Sequence, residues 1–256
     1  MRRPAVAGTF YPASPSHLQA MVDDLLSSVP EPSADGADAY IVPHAGYRWS
    51  GRTAAHVYRR LMVRRPARVA VLGPAHRVPL RGAAVPTDGR WATPLGPIAI
   101  DTDGARELVA RRLAIADDRP HAPEHSIEVQ APFLQQLPDV RLLPICIGQS
   151  TAEHIATVVA AVSRPDTVVL CSTDLSHYLT EEEARLRDVA TVAAIVALSP
   201  TRIGSRDACG RHALRGLLAW AASNRRSATV LHLATSADEG GPRGRVVGYL
   251  AASLTV

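Results

Sequence analysis

The sequence predicts an α/β layered fold whose central sheet is mixed, largely parallel and flanked by helices. Two observations predict it. Short runs rich in Val, Ile and Leu recur along the chain, each bounded by Gly, Pro, Asp or Ser, as buried strands are. The segments between several of them carry apolar residues at helical spacing.

In chain order, 16–26 places Leu18, Met21, Val22, Leu25 and Leu26 on one stripe of a helix. Ala39 to Val42 reads as a strand, and 53–61, following Gly51, as a helix. A strand over Arg68 to Leu72 comes next. The stretch 79–101 lacks helical period and is rich in Pro and Gly, which predicts a hairpin excursion. Helices are expected over 106–113, after Gly104, and from Ser126 onward, with Pro132 kinking the latter. Strands over 141–147 and 167–171 precede a helix over 181–198, for which Thr180 is the expected N-cap ahead of Glu183. An apolar helix over 214–220 and strands over 228–233 and 246–250 complete the pattern. There is no internal repeat, low-complexity tract or linker, and Glu31 to Asp38 is the only polar Pro/Ser/Gly cluster. One domain over 1–256 is therefore expected.

Composition narrows the function. The chain is 46% apolar and 20% charged, so a sizeable core needs no staples. Three cysteines make no paired disulfide framework, the N-terminus has no apolar signal region, and no apolar run approaches membrane-span length. These features predict a soluble, cytoplasmic protein with no membrane partner. All 28 basic residues are arginine. Lysine Schiff bases, lysine general bases and Walker-type phosphate loops are thereby excluded. The net charge of +4 does not imply nucleic acid, because the arginines are scattered and aromatics are only 4%.

Three strand candidates run straight into turns bearing histidine: Pro43-His44-Ala45-Gly46-Tyr47, Gly73-Pro74-Ala75-His76 and Ser172-Thr173-Asp174-Leu175-Ser176-His177. Ligands of open α/β sheets bind beyond the carboxyl ends of the strands, so parallel strands would bring these turns to one crevice. His17, His56, His154 and His232 read as ordinary side chains. Glu124, His125 and Glu128 stand at an expected helix start, where acids suit the macrodipole and where a carboxylate can also support a metal-binding histidine. Cys209 stands beside Arg211 and His212 ahead of an apolar helix, a setting expected to lower a thiol pKa and to suit a metal ligand or nucleophile. Cys146 and Cys171 lie within apolar strands and read as buried hydrophobes.

PHAGY at 43–47, GPAH at 73–76, EHSIE at 124–128, STDLSH at 172–177, CGRH at 209–212 and RVVGY at 245–249 resemble the Memo family, whose prokaryotic members are called AmmeMemoRadiSam system protein B. The opening Arg3-Pro-Ala-Val-Ala-Gly-Thr-Phe-Tyr-Pro12 is similar to that family's start, and the resemblance runs from residue 3 to the C-terminus. It implies a fold similar to the catalytic subunit of class III extradiol dioxygenases, which are non-haem iron enzymes. It also implies metal binding by His44, His76 and Cys209, with Asp174 and His177 lining the same pocket. The family's name implies a functional link to a radical-SAM protein and an Amme-type protein. Dioxygenases of this class hold iron with two histidines and a carboxylate; here the third position is a cysteine. A thiolate accommodates iron(II), copper and zinc, and analogy with the dioxygenases favours iron(II).

Two function classes follow. In one, a metal-dependent oxidoreductase acts on a small substrate, with His177 as general acid/base and Asp174 fixing its tautomer or position. In the other, the site binds a metal or a peptide without turnover, in redox control or partner recognition. A hydrolase ranks third, since no G-x-S-x-G elbow occurs.

Overall fold

The computed structural model describes residues 1–32 and 36–256, so part of the polar cluster at 31–38 lies outside the described residues. The elements alternate from the start. Helix α1 (Pro15–Ser27) precedes strand β1 (Ala39–Val42), helix α2 (Tyr47–Arg64) and strand β2 (Arg68–Pro74). Three short strands follow, β3 (Ala83–Val85), β4 (Arg90–Thr93) and β5 (Gly96–Ala99), then helix α3 (Thr102–Ala110) and strand β6 (Ile115–Ala116). A 3-10 turn (Glu128–Gln130) runs into the one-turn helix α4 (Ala131–Leu134), before β7 (Arg141–Ile147), α5 (Ala152–Val162) and β8 (Thr167–Ser172). Strand β9 (His177–Leu179), helices α6 (Glu181–Val196) and α7 (Arg211–Ser223), and strands β10 (Ser227–Thr235) and β11 (Val246–Thr255) end the chain.

The main sheet has the order β10-β11-β1-β8-β2-β7-β3-β6, with β9 paired to β11. Its centre, β1-β8-β2-β7, is parallel throughout, with Val42 opposite Ser172, Leu72 opposite Cys171 and Pro74 opposite Ile147. The antiparallel partners flank that centre: β11 beside β1, and β3 beside β7. The expected mixed sheet is therefore present, parallel at its centre and antiparallel on both flanks. The excursion at 79–101 does contain a hairpin, β4 against β5, set apart from the main sheet.

Side chains of the central strands alternate between two cores. Ile41, Leu72, Ile145 and Cys171 face the core built with α3, α5 and α7. Tyr40, Val42, Val71 and Leu170 face the one built with α1, α2 and α4. Burial on both faces is why these strands read as continuous apolar runs rather than alternating ones, and each fully buried Val, Leu or Ile contributes about 1.5–3 kcal/mol.

Helix α5 is an element the sequence did not predict, and two others differ instructively from the expectation. Helix α2 begins at Tyr47, inside the PHAGY motif, because Gly46 serves as N-cap and Tyr47 is buried with its hydroxyl on the Val129 carbonyl. The helix expected from Ser126 is only a 3-10 turn plus one α turn. Pro132 lies at the start of α4, where its missing N–H costs nothing, so it opens a helix rather than kinking one. Thr180 caps α6 in a full capping box with Glu183, as expected. Among the described residues, no helix is long and apolar enough to cross a membrane.

Candidate metal centre

Parallel pairing puts the ends of β1, β2 and β8 at one edge of the sheet, and each strand delivers its turn there. His44 follows β1 by two residues, His76 follows β2 by two, and Thr173-Asp174 follow β8. Cys209 arrives from the other side, immediately before Gly210, the N-cap of α7. A Cβ on Gly210 would stand 2.8 Å from the Thr173 side chain, so only glycine lets the cysteine loop close over the end of β8. One ligand atom each from His44, His76 and Cys209 lie within 4.8 Å of one another.

Hydrogen bonds settle which imidazole nitrogens face inward. Ser172 Oγ donates its one proton to the Ser126 carbonyl at 2.7 Å and accepts from Gln130 Nε2 at 2.9 Å. It can then only accept from His44, whose Nδ1 lies 2.9 Å away. His44 is thus the Nδ1–H tautomer, and its Nε2 lone pair points at Cys209 Sγ, 3.2 Å distant. His76 is fixed in the same way: its Nδ1 donates to Glu124 Oε1 at 2.9 Å, and its backbone N–H donates to Glu124 Oε2 at 2.6 Å. Glu124 also accepts the N–H groups of His125 and Ser126, so both of its oxygens are occupied by donors. Burial alone would raise this carboxyl, yet those donors hold it down to about 2.

Two groups of side chains could hold an ion: His44, His76 and Cys209, or His76, Glu124 and His125. The first fits better, since His44 Nε2 and Cys209 Sγ face each other and Sγ takes one backbone N–H, while Glu124 is committed to four N–H donors. A carboxylate behind one imidazole and a hydroxyl behind the other is the outer shell that metal-binding histidines require. His125 stacks on His76, with centroids 4.9 Å apart, and meets the ring of Phe10 at 4.8 Å. It forms a wall of the site.

A family model described as Memo-like protein matches residues 2–253. The chain belongs to the Memo-like family. It is 36% identical to a MEMO1 family protein of Methanopyrus kandleri, covering 98% of this chain and 97% of that protein. A MEMO1 family protein of Sulfolobus acidocaldarius is also 36% identical, with 98% of each chain covered. Among solved structures, an uncharacterized protein of Escherichia coli K12 matches with a TM-score of 0.56 at 14% identity, covering 84% of this chain and 98% of that one, a likeness of fold.

In this Memo-like protein, two expectations about the site need correction. The Cys209 thiol is raised rather than lowered, to about 12: burial is the main cause, and the Asp174 carboxylate adds to it. The N–H of Asp174, 3.3 Å from Sγ, opposes this without reversing it, and Arg211 makes no contact that would. Asp174, moreover, does not hold His177. Its Oδ1 accepts the His44 N–H at 2.8 Å, and its carbonyl accepts the Cys209 N–H at 3.2 Å, so it joins two of the three candidate ligands. His177 Nδ1 is held instead by the Leu175 carbonyl at 2.8 Å.

The remaining residues divide between two cavities. His177 and Cys209 line one of about 280 Å³, together with Arg187 and Arg206. Arg211 and His212 line another, with His76 and Cys209. Burial, and after it the imidazoles of His76, His125 and His177, push His44 well below the ordinary histidine value. Glu128, grouped with Glu124 in the sequence, lies away from the ligands and binds the N-terminal segment. Ser172 and Gln130 were not singled out as orienting groups. Ser172 lies within the STDLSH motif and Gln130 just past EHSIE, but only the fold shows that both converge on His44.

Proposed function

We propose that this Memo-like protein binds one divalent ion, iron(II) by preference, through His44 Nε2, His76 Nε2 and Cys209 Sγ, and works as an oxidoreductase on a small substrate. The observation that carries the reading is the convergence of those ligand atoms with both Nδ1 atoms already held by acceptors. The thiol fits the same reading. Among the described residues the acceptors facing Cys209 S–H are the His44 Nε2 lone pair, the Thr173 hydroxyl and the Asp174 carbonyl, and a cation would take the proton's place.

Three protein ligands leave coordination positions open, and a redox-active ion there would supply Lewis acidity and electron exchange. The protein's own groups do the rest. Glu124 and Ser172 orient the two imidazoles, and Asp174 fixes the distance between the His44 and Cys209 backbones. His177 has its Nδ1–H on a carbonyl, which leaves Nε2 to take a proton from, or return it to, a group in the cavity shared with Cys209. A cytoplasmic setting belongs to the proposal, because reducing conditions keep such a thiol available.

Elemental analysis of anaerobically purified protein, followed by calorimetric titration of iron(II) into wild type and Cys209→Ser, tests it. Tight, near-stoichiometric binding that falls at least tenfold in the variant is expected. Equal affinity in both removes Cys209 from the site, and copper or zinc in place of iron overturns the choice of metal. His177→Gln is expected to keep the metal and lose oxygen uptake with the substrate.

A further inference from the structure

A cleft of about 900 Å³ opens directly on His76 and Cys209. Its charged walls are Arg81 and Arg211, His212 also lines it, and no aspartate or glutamate is among its lining residues. Elsewhere in the chain, arginines such as Arg2, Arg68, Arg185 and Arg226 are held by carboxylates. Neither Arg81 nor Arg211 has an ion pair, and the guanidinium of neither makes a hydrogen bond among the described residues.

The wall that carries Arg81 is built rather than loose. Gly148 N–H donates to the Gly82 carbonyl at 2.9 Å, Gln149 N–H to the Leu80 carbonyl at 2.9 Å, and Gly82 N–H back to the Gln149 carbonyl at 2.9 Å. The approach is so close that a Cβ on Gly148 would stand 2.0 Å from the Leu80 carbonyl oxygen. The Arg81 backbone is thus clamped to the end of β7, beside the strand that delivers His76. Arg211 begins α7 two residues after Cys209, so its backbone is positioned by the same loop that carries the thiol. His212 Nδ1 donates to the Ser150 carbonyl at 2.9 Å, which leaves Nε2 as an acceptor in the cleft.

Two arginines with fixed backbones and no counter-charges, lining a cavity that ends on candidate metal ligands, select for negative charge. We propose that the substrate of this centre is a small organic anion, whose carboxylate or phosphate group is held by Arg81 and Arg211 while its reacting end lies toward His76 and Cys209. The proposal takes the metal centre above as its starting point. His212 Nε2 would accept a hydrogen bond from a hydroxyl or N–H of the same molecule. The shared chemistry is an oxyanion able to receive forked N–H donors; the probes below separate its two sources.

Malonate and inorganic phosphate, titrated into wild type, Arg81→Gln, Arg211→Gln and Arg106→Gln, provide the test. The last removes the same charge from the exposed face of α3. Binding is followed by the NMR shifts of arginine Nε–H groups. Saturable binding of at least one probe, tenfold or more weaker in the two cleft variants and unchanged in Arg106→Gln, is expected; malonate alone points to a carboxylate and phosphate alone to a phosphate ester. Failure of both probes to bind, or equal weakening in Arg106→Gln, overturns the proposal. Cobalt(II) binding, read from its thiolate charge-transfer band, is expected to be the same in all four proteins. Loss of the band in wild type would overturn the metal centre alone, since the anion titrations also run on metal-free protein.

Discussion

Arg2 and Glu128 meet at 2.7 Å with both side chains buried, which ties the first residues of the chain to the loop that carries Glu124 and His125. Glu128 also accepts from the N–H groups of Ala5 and Val6 and from the Tyr11 hydroxyl, while Arg2 donates to the His121 and Glu124 carbonyls. Glu128→Ala would leave a buried guanidinium without its counter-charge and three further donors without their acceptor. A loss of about 3–5 kcal/mol in unfolding free energy is expected from denaturant titration. A loss under 1 kcal/mol would show that the N-terminal segment is not anchored here.

Ser172→Ala removes the acceptor that His44 Nδ1 has among the described residues and frees the ring to change tautomer or rotate. Affinity for the divalent ion is expected to fall about 10- to 100-fold, the usual effect of losing a ligand's hydrogen-bond partner. Competition against a coloured chelator measures it. Unchanged affinity would mean that the serine does not orient the ring.

Acid should weaken the metal-free protein through His121. Its Nε2 bonds to the Ala84 carbonyl at 3.1 Å, and its buried Nδ1 has no partner that could take a second proton. Burial is the main cause that lowers it from 6.5 to about 4, with Arg2 assisting and the Ala84 carbonyl opposing. A depressed histidine binds protons more tightly in the unfolded chain, so its contribution is complete above pH 6.5 and is lost as the pH falls toward 4. The loss from this residue is roughly 3 kcal/mol. Urea midpoints across that window should fall less steeply in His121→Phe than in wild type. Identical slopes would refute the assignment.

Thiol labelling separates the three cysteines. Cys146 and Cys171 are fully buried, and burial pushes their thiols far up; Cys209 is partly exposed with a thiol raised to about 12. In metal-free protein at neutral pH, a small reagent should modify Cys209 first, yet about 100-fold more slowly than a free cysteine of pKa near 8.5. Modification of Cys146 or Cys171 ahead of it, or a rate equal to the free thiol, contradicts this picture.

These residues also show what a sequence can and cannot reveal. Strands β1, β2, β7 and β8 were readable because burial on both faces leaves no polar position to blur the run. Their spatial order was not, since adjacency of Val42 and Ser172 depends on crossovers that periodicity does not encode. Helix α5 was overlooked: Val158, Val159 and Val162 weaken the helical signal, and the Thr151 N-cap, bonded to the His154 N–H, was its clearest mark. At the site, the histidine-bearing turns announced themselves by following strands. The raised Cys209 thiol could not be anticipated, because a neighbouring arginine in sequence mattered less than burial and Asp174, which only the fold brings close.

Strand β1 has both of its neighbours late in the chain. Ile41 sits opposite Cys171 on one side and Ala252 on the other. During synthesis, then, the strand that delivers His44 emerges with nothing to pair with, and its second neighbour, β11, follows only after about 200 further residues, roughly 10–40 s later at ordinary ribosomal rates. Closing such long loops is entropically costly and slow. The nascent chain must carry Ala39 to Val42 as an unprotected apolar segment, which makes it a natural client for chaperones. His44 and His76 are thus made long before Cys209, and the three can meet only once the chain has been synthesised through the loop that precedes α7.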